Sequence, residues 1–414
     1  TTKTLQEAIP KIQEVIASTQ QNRVSRLVEI VLGTAIAIGA SDIHIEPEES
    51  YVGLRFRLDG ILQEVLRFDR ALYALVNSRI KLLAGLKLNV KSSAQDGRFS
   101  VNLKNTDIEI RTSVLPGAYG ESIVLRILDP KSISVPLESL GMHPRLLEVI
   151  EHEIAKPNGM LLPTGPTGSG KTTTLYAFLR KIHVPGVKII TIEDPIEYHL
   201  EGITQTQVEI EKKYTFALGL RAALRQDPDV LMVGEIRDEE TAEIAINSAL
   251  TGHLVFSTLH TNNAAGTFPR LIDLGVNAKT ITSAINLAMA QRLVRKLCDA
   301  CKQEAAIPEE DRRKIEAVLQ SMPPNIPAPQ KERWWVAGEK GCEKCNGIGY
   351  KGRTGVYEAI VADSAIEKIV RENPSEREIA LAAAPQGIPT MAQDGILKVL
   401  SGITSLEELE RVVN

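Results

Sequence analysis

The spacing of apolar residues changes along the first part of the chain. In Thr1–Gln20 they recur every three to four residues, which predicts an amphipathic helix, and a second helix is expected over Ser25–Ile38. From Gly53 to Leu58 apolar and other residues alternate, and Asp59-Gly60 follows, which predicts a two-stranded hairpin. One more helix and three more strands complete a predicted α+β region: Ala71–Leu86, Phe99–Val101, Ile108–Val114 and Ile123–Ile127.

A different pattern begins after Pro130 and Pro136, and we place a domain boundary there. Four short apolar runs are each followed by loop residues and then by a helical stretch. Such alternation predicts a parallel sheet with ligand sites at the carboxyl ends of its strands. The four runs are Met160–Pro163, Val187–Ile192, Val230–Val233 and Leu254–Thr258. A helix is also predicted over Glu309–Leu319, and the last part of the chain is predicted to form small helices.

Composition narrows the class of protein. The chain has 414 residues, of which 43% are hydrophobic and 24% charged, as in ordinary globular proteins of two or three folded units. No apolar stretch reaches the roughly 18 residues that a membrane-spanning helix needs, and no apolar signal segment opens the sequence. A cytoplasmic location is therefore expected. The net charge of -4 and the 4% of aromatic residues argue against a nucleic acid as substrate.

A phosphate-binding loop is the strongest motif in the sequence. Gly165-Pro-Thr-Gly-Ser-Gly-Lys171-Thr172 fits the eight-position pattern in full, between a predicted strand and a predicted helix. The glycines allow backbone N–H groups to point at phosphates, Lys171 can reach the outer phosphates, and the Thr172 hydroxyl can bind Mg²⁺. The sequence therefore predicts ATP and Mg²⁺ as ligands, with nucleotide contacts from Gly165, Pro166, Thr167, Gly168, Ser169, Gly170, Lys171, Thr172 and Thr173.

Acidic residues follow two of the other predicted strands. Glu235 comes directly after Val230–Gly234, and Glu193, Asp194 and Glu197 follow the strand that ends at Ile192. Binding of Mg²⁺ and activation of water are natural roles for carboxylates beside a triphosphate, with Glu235 as the second metal ligand. The alternative is that these residues form an exposed acidic loop without a functional role. This alternative is stronger for the Glu193–Glu197 group than for Glu235.

Histidines lie near the next predicted strand. His260 follows it and could sense the γ-phosphate through a hydrogen bond. A packed histidine without a catalytic role is an equal alternative, and His253 could fill either role.

The four cysteines form two C-x2-C pairs, Cys298 with Cys301 and Cys342 with Cys345. A tight turn of this kind points two thiolates at one ion, so two pairs supply the four ligands of a structural Zn²⁺ site. Disulfides are the alternative, but a cytoplasmic location disfavours them. Because all four positions are thiols, the expected zinc is structural and not catalytic.

The motifs resemble those of the secretion ATPase superfamily, which drives type II secretion and type IV pilus assembly. Four blocks carry the resemblance, namely GPTGSGKTTTLY, TIEDPIEY, LRQDPDVLMVGEIRD and TGHLVFSTLHTN. Upstream, ASDIHIEPEE, RFRLDGILQEV and GESIVLRIL are similar to the smaller N-terminal domain of the same proteins. The tetracysteine element is typical of the members that secrete or assemble pili and not of the retraction members.

The resemblance implies a homo-hexamer with ATP between a RecA-like domain and the N-terminal domain. Glu193, Glu197, Glu235 and His260 become catalytic candidates, Asp194 becomes a nucleotide-binding candidate, and which glutamate polarises the water stays open. Arginines that complete such a site match at three positions, Arg111, Arg126 and Arg225, with Arg221 beside the last. An ordinary ion pair is the alternative for each arginine.

The predicted architecture is an α/β fold: a RecA-like P-loop domain, a smaller N-terminal α+β domain and a C-terminal zinc-bearing helical part. We expect an N-terminal helix and linker over 1–25, a PAS-like domain over 26–130 and the ATPase core over 137–297. The tetracysteine zinc element is expected over 298–350 and the C-terminal helical part over 351–414.

The predicted function is that of a Mg-ATPase motor, peripheral on the inner membrane through partners. The expected partners are an inner-membrane platform protein and a cytoplasmic adaptor of a secretion or pilus machine, with the tetracysteine element docking on the membrane-embedded one. Two other classes compete. One is a RecA-like nucleic-acid translocase or helicase, for which DNA should stimulate hydrolysis. The other is a scaffold that binds ATP without hydrolysis, against which Lys171, Thr172 and Glu235 argue.

Overall fold

The computed structural model describes residues 4–18, 20, 22–103, 106–130, 134–327, 329 and 333–413. The ends of the predicted first helix, Thr1–Lys3 and Thr19, lie outside these residues, as does much of the segment between Pro130 and Pro136. The chain divides into two compact units. The first contains 1–132 together with two segments from later in the chain, 298–302 and 337–352, and the second contains the remainder.

The first unit is an antiparallel sheet covered by helices. The order of its strands is β3-β2-β1-β6-β5-β4. The strands are β1 (Asp42–Pro47), β2 (Val52–Leu58), β3 (Ile61–Phe68), β4 (Gln95–Leu103), β5 (Thr106–Gly117) and β6 (Gly120–Leu128). The helices are α1 (Leu5–Ala17), α2 (Arg23–Ile38) and α3 (Arg70–Leu83).

The predicted alternation of β2 is confirmed. Its residues alternate strictly between buried and half-buried positions, and its buried side chains share one core with the apolar faces of the three helices. Asp59 and Gly60 connect β2 to β3 with φ values of 48° and 88°. Positive φ at both central residues is the geometry for which Asp-Gly is favoured in a two-residue hairpin.

The second unit contains a seven-stranded sheet in the order β15-β12-β7-β11-β10-β8-β9. Every pair from β12 to β9 is parallel. The strands are β7 (Gly159–Thr164), β8 (Ile189–Glu193), β9 (Thr204–Gln207), β10 (Val230–Val233), β11 (Leu254–Ser257), β12 (Ile285–Leu297) and β15 (Tyr350–Val361). A separate antiparallel pair is formed by β13 (Gln303–Ala306) and β14 (Arg333–Val336).

Helices cover both faces of the large sheet. Met160 and Leu162 of β7 belong to one apolar cluster, and Leu161 between them belongs to the other. Strands buried on both faces are apolar throughout, which explains why the sequence shows short unbroken apolar runs. The helices are α4 (Pro144–Ile154), α5 (Lys171–Ile182), α6 (Phe216–Leu224), α7 (Glu239–Leu250), α8 (Thr267–Asp273), α9 (Ala278–Ala284), α10 (Glu309–Gln320), α11 (Ser364–Glu372), α12 (Glu376–Ala383), α13 (Met391–Leu400) and α14 (Leu406–Val413).

The predicted α/β fold class with a parallel sheet is confirmed, and two findings refine it. The C-terminal part opens with strand β15 before its helices begin, and both cysteine segments cluster with the first unit. The finer division of the chain into five parts stays a prediction. Among the described helices, none has both the length and the apolar character that crossing a bilayer requires.

Candidate functional site

The phosphate-binding loop joins the end of β7 to the start of α5. Gly165, Gly168 and Gly170 have φ values of 150°, 81° and 92°, a region that other residues rarely adopt. At Gly165 a Cβ atom would also lie 2.6 Å from both the backbone oxygen of Gln291 and the Ser169 hydroxyl. Because α5 begins at Lys171 without a side-chain cap, its first N–H groups are available to an anion.

Lys171 is folded back onto the loop. Its Nζ donates to the backbone oxygens of Gly165 at 2.7 Å and Pro166 at 3.1 Å. Burial lowers the pKa of Lys171, and the negative charge of Glu235 opposes this shift. Thr172, the expected metal ligand, is exposed at the start of α5. The loop therefore presents an ammonium group and a hydroxyl at one helix N-terminus.

Two residues of β12 that the sequence analysis did not single out support this loop. The buried Gln291 donates from Nε2 to the Ser169 backbone oxygen at 2.7 Å and accepts from the Thr174 hydroxyl at 2.9 Å. Arg292 donates to the backbone oxygens of Gln291 and Asn262. No local signal could have identified these residues, because the contacts depend on β12 pairing with β7.

Acidic residues meet at the same edge of the sheet. Asp194 follows β8 and Glu235 follows β10, and these strands are parallel neighbours, with Ile192 opposite Val233. Arg237 forms an ion pair with Glu235 and also lies 4.0 Å from Asp194, measured from Nη1 to Oδ2. The Nε2 atom of His260 lies 3.3 Å from Oε2 of Glu235. The structure thus brings together Asp194, Glu235 and His260, with Arg237 among them.

Glu193 is the last residue of β8 and is only 3% exposed. Its carboxylate accepts hydrogen bonds from the Tyr176 hydroxyl, the Thr191 hydroxyl and Nε2 of Gln205. Burial raises the pKa of Glu193, and these three hydrogen bonds oppose the rise. The nearby negative charge of Glu197 adds to the rise. Glu193 thus links α5, β8 and β9, whereas Asp194 beside it is exposed.

The predicted arginines fall in both units. Arg111 and Arg126 of the first unit are directly opposite each other on β5 and β6. Nε of Arg126 donates to Asp42 at 3.1 Å and Nε of Arg111 donates to Glu109 at 3.2 Å. In the second unit Arg225 directly follows α6 as its C-cap residue.

Arg225 and Arg221 lie one helical turn apart, and each has a contact within the second unit. Arg225 donates to the backbone oxygen of Arg221 at 3.1 Å. Arg221 itself forms an ion pair with Glu240 at 2.7 Å.

The four cysteines form one cluster within the first unit. All four Sγ atoms lie within 4.8 Å of one another. Three of the distances are 3.8 Å, namely those between Cys298 and Cys342, Cys301 and Cys345, and Cys342 and Cys345. A tetrahedron of sulfurs around zinc at about 2.3 Å has edges of about 3.8 Å. The cluster therefore fits four-coordinate zinc, and its cysteines are free thiols in the structure.

Backbone groups around Cys345 favour its thiolate form. The N–H groups of Cys342 and Gly349 donate to its Sγ at 3.1 Å and 3.2 Å. Burial alone would raise the pKa of Cys345, but these donors and the neighbouring thiols lower it to about 7. Since thiolates are the form that binds zinc, this environment suits a metal ligand.

The segment 337–352, which carries Cys342 and Cys345, contacts the rest of the first unit. Asn346 accepts from the Leu5 backbone at 2.9 Å, and the Gly352 N–H donates to Asp59 at 2.8 Å. Ile348 packs against the core of that unit. The second cysteine pair is therefore attached to the first unit by both polar and apolar contacts.

Comparison with known proteins assigns the chain to one family. The family described as Type II/IV secretion system protein matches residues 17–411. The chain is 46% identical over 408 residues to Type II secretion system protein E of Pseudomonas aeruginosa, covering 99% of this chain and 79% of that protein. It is 43% identical over 408 residues to Type II secretion system ATPase E of Vibrio cholerae, with the same coverage of both proteins.

A solved structure agrees with this assignment. The pilus retraction motor PilT with bound ADP superposes with a TM-score of 0.59 and 27% identity, covering 92% of this chain and 95% of that one. The chain therefore belongs to the Type II/IV secretion system protein family and is one of its ATPases.

Proposed function

We propose that this ATPase is the motor of a type II secretion machine, working as a homo-hexamer that converts hydrolysis of Mg-ATP into mechanical work. The observation that carries the proposal is the convergence of the phosphate-binding loop with Asp194, Glu235 and His260 at one edge of the parallel sheet. The identity to secretion ATPases over nearly the whole chain supports the choice of machine. Assembly of a type IV pilus is the neighbouring possibility within the same family.

In this mechanism the glycine-rich loop and Lys171 bind the phosphates. Thr172 and Glu235 would hold Mg²⁺, which would neutralise charge on the transferred phosphoryl group. Glu235 is also the preferred candidate to orient the attacking water, because Glu193 is buried and already accepts three hydrogen bonds. We assign Glu193 to positioning the loop that carries Asp194 and Glu197.

The remaining proposals concern charge and partners. Arg111, Arg126 and Arg225 would add positive charge at the triphosphate, and zinc would be held by the four cysteines. Platform and adaptor proteins at the inner membrane would receive the mechanical work, with the tetracysteine element docking on the former. We place the motor in the cytoplasm, at the membrane through these partners.

The test is phosphate release across a protein concentration series, with oligomeric state followed by mass photometry and DNA added in a parallel set. We expect specific activity to rise as hexamers form and to be unchanged by DNA. Strong stimulation by DNA would instead favour the nucleic-acid translocase. Full activity from monomers would contradict the hexamer.

Replacing Lys171 with alanine should abolish nucleotide binding, because its ammonium group is the cation of the phosphate-binding loop. At about 100 times its Kd, a ligand stabilises the native state by about 2.7 kcal/mol. We therefore expect Mg-ATP to raise the Tm of the wild type and leave that of Lys171→Ala nearly unchanged.

The control for this experiment is Lys181→Ala. Lys181 lies in the last turn of the same helix and pairs with Glu138 and Glu151 on the surface. This variant should keep the full shift in Tm. A normal shift in Lys171→Ala would show that the nucleotide binds elsewhere.

Replacing Tyr176 with phenylalanine should change the pH dependence of hydrolysis. The Tyr176 hydroxyl opposes the burial that raises the pKa of Glu193, so its removal should raise that pKa further. If ionised Glu193 is required, activity is lost as pH falls through this pKa, and the acid limb moves to higher pH. We expect the ratio of variant to wild-type kcat to fall as the pH is lowered, because the variant loses the ionised form of Glu193 at a higher pH than the wild type does.

The control is Glu193→Gln, whose side chain cannot titrate and whose residual activity therefore does not depend on this pKa. Adding Tyr176→Phe to this variant should leave the shape of its pH profile unchanged. A constant ratio of Tyr176→Phe to wild-type kcat across the pH range would argue against a required charge on Glu193.

A further inference from the structure

Arg237 lies between the two acidic groups of the site. It follows Glu235 by two residues, in the segment that connects β10 to α7. Its guanidinium forms an ion pair with Oε1 of Glu235 and reaches to 4.0 Å from Oδ2 of Asp194. One positive side chain therefore joins carboxylates that follow two neighbouring strands.

Both oxygens of Glu235 are occupied in this arrangement. Arg237 contacts Oε1 and His260 lies 3.3 Å from Oε2. The Glu235 side chain is 14% exposed, whereas that of Arg237 is 59% exposed. A divalent cation that uses Glu235 as a ligand therefore competes with these neighbours for its oxygens. Arg237 is the neighbour that also reaches Asp194, so a cation held by both carboxylates competes with its guanidinium at each of them.

The charges lead to the same conclusion. Glu235 and Asp194 together carry two negative charges, and Arg237 reduces their sum to one. A divalent cation is attracted less strongly by the neutralised pair than by the bare one. The Arg237 end of the ion pair is exposed to solvent, so stabilisation of the fold is a weak reason for this contact.

We propose that Arg237 is a positioning residue that takes the place of the divalent cation at Glu235 and Asp194 until nucleotide and metal arrive together. Metal binding then depends on nucleotide. The phosphates add ligands and negative charge for the metal ion, and with these the ion displaces the guanidinium from the carboxylates. This inference rests on the proposed role of Glu235 as a metal ligand. Arg237 thereby prevents the bare carboxylates from capturing a metal ion before ATP is bound.

The experiment measures Mn²⁺ binding to the full chain without nucleotide, by electron paramagnetic resonance of free Mn²⁺, after zinc has been loaded. We expect Arg237→Gln to bind Mn²⁺ about 5- to 10-fold more tightly than the wild type, the gain from one removed charge near an exposed site. The double variant Arg237→Gln/Glu235→Gln should lose this gain. The control Arg270→Gln removes an exposed arginine from α8 and so makes the same change in net charge.

A second readout separates positioning from a structural role. The Mg²⁺ concentration that gives half-maximal hydrolysis should fall in Arg237→Gln, whereas loss of structure alone would lower kcat at an unchanged Mg²⁺ requirement. Equal Mn²⁺ affinity of Arg237→Gln and wild type would overturn the inference. So would an equal gain in Arg270→Gln, or a gain that persists without Glu235.

The same measurements distinguish failure of this inference from failure of the proposed metal site. Mn²⁺ is also titrated with a non-hydrolysable ATP analogue present. If wild type binds Mn²⁺ with the analogue and Glu235→Gln does not, the metal site stands whatever Arg237→Gln does. If Glu235→Gln binds it equally well, the proposed metal ligand is wrong, and the inference about Arg237 falls with it.

Discussion

Replacing Glu235 with glutamine is expected to lower kcat for ATP hydrolysis by about 100-fold or more while nucleotide binding persists. Glutamine has nearly the same shape, so the loss isolates the negative charge that would bind Mg²⁺ and orient water. Lys171 and the glycine-rich loop are untouched, and they hold the phosphates. Phosphate release gives kcat, and fluorescence of a labelled nucleotide gives the Kd of the wild type and the variant.

The matched control is Glu316→Gln, which removes a carboxylate from an exposed position of α10. Its kcat should equal that of the wild type. If Glu235→Gln kept more than about a tenth of the activity, a different carboxylate would have to supply the charge. Glu197 would then be tested first, because Glu193 is buried and satisfied by three donors.

The parts of this site that lie within one motif could be predicted from the sequence. Strand β10 has the predicted bounds, and the helix predicted after the phosphate-binding loop is α5, which begins at Lys171. A short apolar run bounded by polar residues is a local signal, and so is the demand of a phosphate-binding loop for glycines. The carboxyl ends of parallel strands share one edge of a sheet, so the meeting of Asp194 and Glu235 followed from the order of strands and helices.

The flanking strands could not be predicted in the same way. Helix α9 ends at Ala284 and β12 begins at Ile285, so no glycine, proline or loop marks the change. Strand β15 contains Gly352 and Gly355, which argue against a strand when read locally. Both segments form strands because they pair with neighbouring strands in the large sheet. For the same reason the support that Gln291 gives to Ser169, across 122 residues of sequence, became visible only in the fold.

Charge contacts between motifs also required the structure. Arg237 lies between two acidic residues in the segment GEIRD, and this local sequence does not indicate a contact outside the segment. That it also approaches Asp194 depends on the pairing of β8 with β10. Likewise, the cysteine spacing predicted four zinc ligands, but it could not indicate that the second pair packs on the first unit. The bond from Leu5 to Asn346 spans 341 residues.

Replacing Cys345 with serine is expected to reduce bound zinc from about one ion per chain to below about a tenth. Cys345 is 2% exposed, and its pKa is lowered to about 7, which favours the thiolate form that binds zinc. Loss of about 3 kcal/mol from a unit of this size corresponds to a fall in Tm of roughly 5–10 °C. Zinc is measured by mass spectrometry of the purified chain, and Tm by calorimetry.

The location of the loss tests the attachment of the cysteine segments to the first unit. Hydrogen exchange should become faster in 337–352 and in α1, because Asn346 and Ile348 contact the first unit from the second cysteine pair. Asn346→Ala is the matched control, since it removes the bond to Leu5 but leaves all four sulfurs. It should keep its zinc and show faster exchange at α1 alone. Full zinc content in Cys345→Ser would exclude the four-thiolate site, and unchanged exchange at α1 would mean that the metal stabilises only its own segment.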